Sequence, residues 1–259
     1  MCLIAFAHQF HPEFPLILIA NRDEFYNRPT RPAQFWSDEG FPTILAGKDL
    51  NRNGTWLGIS KSGKWAALTN YRDLTNIKSD APTRGNLVLD YLKSNDSPLD
   101  YLKKNQNQAD FYNGFNLLLG TSDKIYHYSN ISKKTTQIPP GIHGLSNAFL
   151  NTNWEKSESL KQELEKEISE KKWKKENLLK FLLDETQAKE NNLPNTGLSY
   201  DMEKALSSRF IRTENYGTRC STFLAIDKNG KTEFHEQTYQ SGTQIILTKS
   251  DYIFSLTKV

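Results

Sequence analysis

The residue best suited to chemistry in this chain is a cysteine at the second position. Cys2 is small enough for aminopeptidases to remove Met1, and that removal leaves one residue carrying both a thiol and a free α-amine. An unperturbed α-amine has a pKa of about 8, so near neutral pH part of it is unprotonated and takes the thiol proton, directly or through water. Nucleophile and base then reside in a single residue. The polar run Asn21-Arg22-Asp23-Glu24 follows the second of two apolar segments, where a returning strand leaves its sheet and brings charge back towards Cys2. Two plainer readings stand beside these. Free cysteines are commonly buried as small apolar residues, and Asn21 to Glu24 also reads as a salt-bridged strand exit that orders the loop after it.

The elements that position these residues follow from hydrophobic pattern. Cys2 to Ala7 and Leu16 to Ala20 are short apolar runs flanking a turn region, which predicts a hairpin of buried strands. Arg28-Pro29-Thr30-Arg31-Pro32 is expected to break regular structure, because two close prolines cannot donate to a ladder. A second hairpin is expected from Gly54–Ile59 and Lys64–Asn70, and it ends on another polar residue, Asn70. Helical periodicity runs from Arg84 to about Gln108, with Leu87, Val88, Tyr91 and Leu92 on one face and Ser97-Pro98 starting a second helix. Strands are expected at 115–119 and 124–128. Trp154 to Lys175 reads as an amphipathic surface helix: Leu160, Leu164 and Ile168 step by four, and Glu167 with Lys171 and Glu170 with Lys174 form i,i+4 pairs. A more buried helix at 178–183 and a loop at 191–197 follow. A third hairpin turns at Lys228-Asn229-Gly230, and two strands, at 244–247 and 252–256, close the chain. Strands at both ends with helices in the middle indicate an α+β fold, a single domain over residues 1–259 with helices packed on largely antiparallel sheets.

Bulk properties exclude several function classes. Hydrophobic residues at 37% and charged residues at 24% describe an ordinary folded chain, and a net charge of +3 is too small to argue for nucleic acid. No apolar run approaches the roughly 20 residues that span a bilayer, and no secretory signal pattern is present. A cytoplasmic location is expected. With only Cys2 and Cys220, neither a disulfide framework nor a cysteine-based zinc site is available. His8 and His11 near the first turn are candidate metal or haem ligands, against the ordinary role of solvated turn residues; His143 and His235 have no ligand spacing. Cys220 reads as a strand residue.

Met1-Cys2, Ala20-Asn21-Arg22-Asp23-Glu24-Phe25-Tyr26 and Arg28-Pro29 resemble the NRDE-motif family, also called the transport and Golgi organisation protein 2 family. The resemblance continues through Gly54–Ile59, Ala66–Tyr71, Tyr112–Asn116, Gly144–Ala148 and Tyr216–Arg219, and is weakest from Glu155 to Glu214. That family is in turn similar to N-terminal-nucleophile hydrolases of the bile-salt hydrolase and penicillin V acylase type. The resemblance therefore implies a four-layer αββα sandwich and an amidase or acyltransferase that forms a thioester on a small amide or acyl substrate. Carried over by residue, Cys2 matches the nucleophile, Asn70 an oxyanion-hole asparagine, Asn147 a second active-site asparagine and Arg219 an arginine near the nucleophile. Arg22 and Asp23 match the charged pair beside it, although the hydrolases space arginine and aspartate by three; the alternative places Asn21 and Glu24 there. Arg22 and Glu24 point one way from a strand, Asn21 and Asp23 the other. Asn21, Glu24, Trp56 and Tyr71 are candidate substrate-binding residues. Arg22 or Arg219 near Cys2 is expected to favour the thiolate. The resemblance also implies a non-enzymatic alternative, a pocket holding haem or a lipid or acyl-coenzyme A ligand, with no metal and no required cofactor.

Overall fold

A computed structural model describes residues 2–257. The chain opens with the expected hairpin, β1 (Cys2–His8) and β2 (Leu16–Phe25), in a register that sets Cys2 opposite Arg22 and His8 opposite Leu16. A second sheet begins with β3 (Thr30–Trp36) and β4 (Phe41–Asp49) and continues through the hairpin β5 (Leu57–Ser60) and β6 (Trp65–Asn70). Helices α1 (Gly85–Lys93) and α2 (Pro98–Asn105) follow, and Ser97 caps α2 by accepting from the Asp100 N–H. β7 (Phe115–Gly120), β8 (Ile125–Ser129) and β9 (Lys134–Gln137) complete that sheet. β10 (Gly141–Leu145) returns to pair with β1. After helices α3 (Glu155–Ser169), α4 (Lys175–Phe181) and α5 (Tyr200–Ala205), strands β11 (Tyr216–Ile226), β12 (Lys231–Tyr239) and β13 (Ile246–Ser255) finish the first sheet. The spatial orders are β10-β1-β2-β11-β12-β13 and β3 through β9 in sequence, antiparallel throughout.

Both faces of the central strands are buried, which is why β1 and β2 read as continuous apolar runs. Ile4, Phe6, Leu16 and Leu18 point inward against Leu45, Ile59, Trp65 and Leu118 of the other sheet. Their neighbours Leu3, Ala5, Ile17 and Ile19 point outward beneath Leu160, Leu164 and Ile168 of α3 and Leu178 and Leu179 of α4. On the opposite side, Leu87, Val88, Tyr91 and Leu92 of α1 cover Ala66, Leu117 and Leu119. The result is a four-layer αββα sandwich. No helix among the described residues is long and apolar enough to cross a membrane.

Several local expectations are corrected. The break expected from Arg28 to Pro32 is confined to its first two residues: Arg28 and Pro29 lie between strands, but β3 starts at Thr30 and carries Pro32, tolerated because β3 is an edge strand with a register shift between Arg31 and Gln34. The surface helix stops at Ser169, so Glu167 and Glu170 do not pair with Lys171 and Lys174. Glu167 instead accepts from the Lys174 N–H and the Asn177 side chain. The break lets Trp173 pack on Phe14 and Phe223, a burial worth more than another exposed helical turn. The C-terminal segment is one strand, β13, rather than two; its polar centre Lys249-Ser250-Asp251 lies on an exposed sheet edge, where Asp251 pairs with His235. β4, β9 and β10, which pattern alone did not indicate, are also present. His8 is buried at the end of β1, and His11 accepts main-chain N–H groups of Glu13 and Phe14 within the turn.

His127 on β8 is buried with one ring nitrogen 3.1 Å from Asn116 Oδ1, and burial pulls its pKa down from 6.5 to about 4. The unfolded chain therefore binds more protons between those values. The contribution is complete above pH 6.5 and is lost as pH falls towards 4, at most roughly 3 kcal/mol. Replacing His127 with Gln is expected to remove this component from the pH dependence of urea-denaturation midpoints; an unchanged slope between pH 6.5 and 4 contradicts the assignment.

Candidate active site

The site is built by strand alternation at one end of β1 and β2. Cys2 and Arg22 are cross-strand partners on the face that looks between the sheets, as Ile4 does. Asn21 and Asp23 face the helix layer. There Asn21 Nδ2 donates to the carbonyls of Leu182 and Arg209 at 2.8 and 2.9 Å, its Oδ1 accepts from Ser221, and Asp23 Oδ1 accepts from Thr218 Oγ1 at 2.7 Å. The Arg22 guanidinium donates to Thr30 Oγ1 at 3.1 Å, pairs with Asp49 Oδ2 at 3.3 Å and lies 4.1 Å above the Trp56 ring. Trp56 reaches this position only because residue 47 is glycine; a Cβ there would stand 2.4 Å from the indole. Asp49 gathers the region: Oδ2 also takes Arg28 Nε at 2.5 Å, and Oδ1 accepts the N–H groups of Asn51 and Arg52 in the following turn.

Cys2 and Arg22 line a polar cavity of about 240 Å³, together with Trp56, Leu68, Asn70 and the cationic side chains of Arg28, Arg52, Lys78 and Arg84. A second cavity of about 440 Å³ is lined mainly by apolar side chains, among them Tyr71, Leu74, Ile77, Leu198, Met202 and Leu206. Glu24, Asn70, Arg84 and Asn113 belong to both linings, so the two spaces adjoin. Burial pushes the Cys2 thiol above its ordinary value and the Asp23 carboxylate adds to the rise, while Arg22 and the Asp23 N–H oppose it. Arg22 thus favours the thiolate, as expected of an arginine beside Cys2, without deciding the balance. Desolvation outweighs Arg22, so the sulfur needs a base to become a nucleophile.

The Transport and Golgi organisation 2 family matches residues 1–241. The chain belongs to that family. The "Transport and Golgi organization 2 homolog" of Mus musculus is 37% identical over 258 residues, covering 92% of each chain. Among solved structures, a mutant conjugated bile acid hydrolase from Clostridium perfringens is similar at 10% identity and TM-score 0.44, covering 99% of this chain and 97% of that one. An N-acylethanolamine-hydrolyzing acid amidase ortholog from Caenorhabditis elegans is similar at 11% identity and TM-score 0.43, over 86% and 92% of the two chains.

The four-residue family motif therefore splits its work between layers. Arg22 and Glu24 line the cavities, whereas the Asn21 side chain, expected as a substrate contact, is consumed in tying β2 to the residues after α4 and to β11. Asn70, Trp56 and Tyr71 line one or both spaces. Asn147 does not line either: its Nδ2 donates to the Asn70 carbonyl at 2.8 Å and so holds the end of β6. Arg219 sits at the register shift between Thr218 and Cys220 and donates to the Phe25 and Arg28 carbonyls, stapling the loop after β2 rather than entering the Cys2 cavity. Asp49 and Arg84 were missed. Asp49 had a weak signal, an aspartate before the Asn51-Arg52-Asn53-Gly54 turn. Arg84 had none, since it reaches the site through the contact of Gly85 with Gly54 and its bond to the Gly114 carbonyl.

Removing Asp49 leaves the buried Arg22 guanidinium without its carboxylate. Asp49→Ala is expected to lower stability by about 3 kcal/mol in urea unfolding, the usual cost of breaking a buried pair. A loss below ~1 kcal/mol would show that the Arg22–Asp49–Arg28 group contributes little.

Proposed function

We propose that this protein is an N-terminal-cysteine amidase or acyltransferase, acting once Met1 has been removed. The observation that carries the reading is the position of Cys2 in a polar cavity that adjoins an apolar one through shared lining residues. An acyl chain in the apolar space would place its carbonyl towards Cys2. The freed α-amine of Cys2 takes the thiol proton, and Sγ bonds to the acyl carbon, pushing the carbonyl electrons onto oxygen. Collapse of that intermediate breaks the C–N bond, and the leaving amine takes the proton held on the α-ammonium. Water or another acceptor then attacks the thioester, gives its proton to the α-amine and so to the departing sulfur, and the thiol is restored. Two asparagines line both spaces; the Asn113 amide is engaged with the Lys78 main chain, so Asn70 is the one assigned to donate to the oxyanion, and Arg22 supplies a fixed positive charge beside the sulfur.

A second reading, a carrier that holds a lipid or acyl ligand without reacting, is favoured by the size and apolar lining of the 440 Å³ cavity. Haem suits these spaces less well. Among the described residues no histidine lines either cavity, and the thiol and phenol donors nearest to hand, Cys2, Tyr71 and Tyr216, are all pushed upward by burial and so away from the ionised forms that ligate iron.

The two readings separate on turnover of a panel of amides and activated esters with increasing acyl length. The amidase reading expects hydrolysis that disappears in Cys2→Ala, with the fold retained by circular dichroism, and a kcat lowered by about 10²–10³ in Asn70→Ala with a small change in KM. Tight binding of the same compounds without turnover, unchanged in Cys2→Ala, supports the carrier.

A further inference from the structure

β13 is the last strand of the six-stranded sheet, so one row of its main-chain N–H and C=O groups has no strand beside it among the described residues. Tyr252 and Phe254 turn inward onto Phe35, which leaves Lys249, Asp251 and Ile253 on the outer face. Regular pairing with β12 runs from Ser255 back to Thr248, where a register shift at Leu247 ends it. Leu247 and Ile253 are each 65% exposed, a large apolar area for an edge open to water. Edge strands commonly carry charge that repels a second strand. Here the two charges are opposite in sign and stand one on each side of Ser250. Asp251 is fixed on its face by His235 Nδ1 and lies 3.7 Å from Lys175 Nζ, which also pairs with Glu233 at 2.5 Å. Lys249, opposite Gln237 of β12, makes no ion pair among the described residues.

A strand that meets its own copy across a two-fold axis normal to the sheet pairs antiparallel and keeps each face on its own side, so opposed residues come from the same face. Three such registers bring the charged centre of β13 against itself. One centred on Lys249 opposes lysine to lysine, and one centred on Asp251 opposes aspartate to aspartate. The register centred on Ser250 sets Lys249 of each copy against Asp251 of the other. Like charges directly opposite destabilise a pair of strands and opposite charges stabilise it, so the charge pattern selects the third. The same register sets Thr248 opposite Tyr252 and brings Leu247 of one copy to Ile253 of the other, covering the exposed apolar residues at both ends. We propose that β13 is a dimerisation edge, at which two copies of this chain pair antiparallel about Ser250 and join their six-stranded sheets into one. The contact is one strand wide, smaller than a standard protein–protein interface, and the dimer is therefore reversible.

The test is sedimentation velocity over a concentration series of the full chain, with K249E and D251K run alone and as a mixture. The wild type is expected to pass from monomer to dimer as concentration rises. K249E weakens self-association by about tenfold or more, because two opposite-charge pairs become two like-charge pairs. D251K does the same with lysines. Mixing the two variants restores the dimer, since each then offers the charge the other lacks. S250C reads the register directly: opposed residues of antiparallel strands have Cα atoms about 4.5–5.5 Å apart, within disulfide range. Oxidised S250C is expected to form a covalent dimer, whereas T248C and the wild type, with its own two cysteines, do not. A wild type that stays monomeric throughout overturns the proposal, as does a dimer that K249E leaves intact. Linkage of T248C in place of S250C overturns it as well. Should D251K fail to fold by circular dichroism, K249E and S250C decide: dissociation by the first and linkage of the second support the proposal, and absence of either overturns it.

Discussion

The pairing register of β1 with β2 and β11 is the constraint on which the site depends. Because side chains alternate along a strand, a shift of one residue would exchange the faces of Asn21, Arg22, Asp23 and Glu24. The observed register sets Cys2 opposite Arg22, and the β11 irregularity at Arg219 lets Cys220 also stand opposite Arg22 while Thr218 stands opposite Asp23. One polar stretch then serves two compartments. Arg22 and Glu24 line the cavities and Asn21 ties β2 to the helix side, while Asp23 accepts from Thr218 of β11 and also borders the Cys2 cavity. A buried anchor on each side keeps the strand from slipping: Asn21 to the Leu182 and Arg209 carbonyls, and Arg22 to Asp49 and Trp56.

Holding so many charges out of water is expensive, and the site meets that cost through pairing. Arg22 and Arg28 share Asp49, and Arg72 closes on Glu203. The local effect of burial is still visible in Cys2, whose thiol is harder to ionise than in water despite an arginine across the strand. A cysteine in that condition is a poor spontaneous nucleophile and a stable one. It becomes reactive when a base is supplied close by, which is the service an α-amine on the same residue would perform.

The hairpins and α1 were legible because they follow simple periodicity; Cys2 and the polar run holding Arg22 stood out by chemistry and position, whereas Asn70, Trp56 and Tyr71 were indicated by the family resemblance, and all five line the cavities. What pattern does not carry is the direction of a side chain at an irregularity. Arg219 stands at a register shift and donates to the loop after β2, and Asn147 spends its amide on a main-chain carbonyl. Lys156 was hidden by composition: in a helix full of Lys and Glu it reads as another solvated charge, although its spacing from Leu160 places it on the buried stripe. β3 and the end of α3 were misread for a related reason. Tertiary context, an edge position for Pro32 and a pocket for Trp173, overrode the local preference.

The central claim is that Cys2 is a free N-terminal residue acting as a nucleophile. Its most direct measurement is the intact mass of the purified protein before and after mixing with an activated acyl ester, followed by brief hydroxylamine treatment. The account predicts a starting mass lacking one methionine, the gain of a single acyl group located at Cys2, and its removal by hydroxylamine, as for a thioester. Retention of Met1, or acylation that falls elsewhere and resists hydroxylamine, would contradict it.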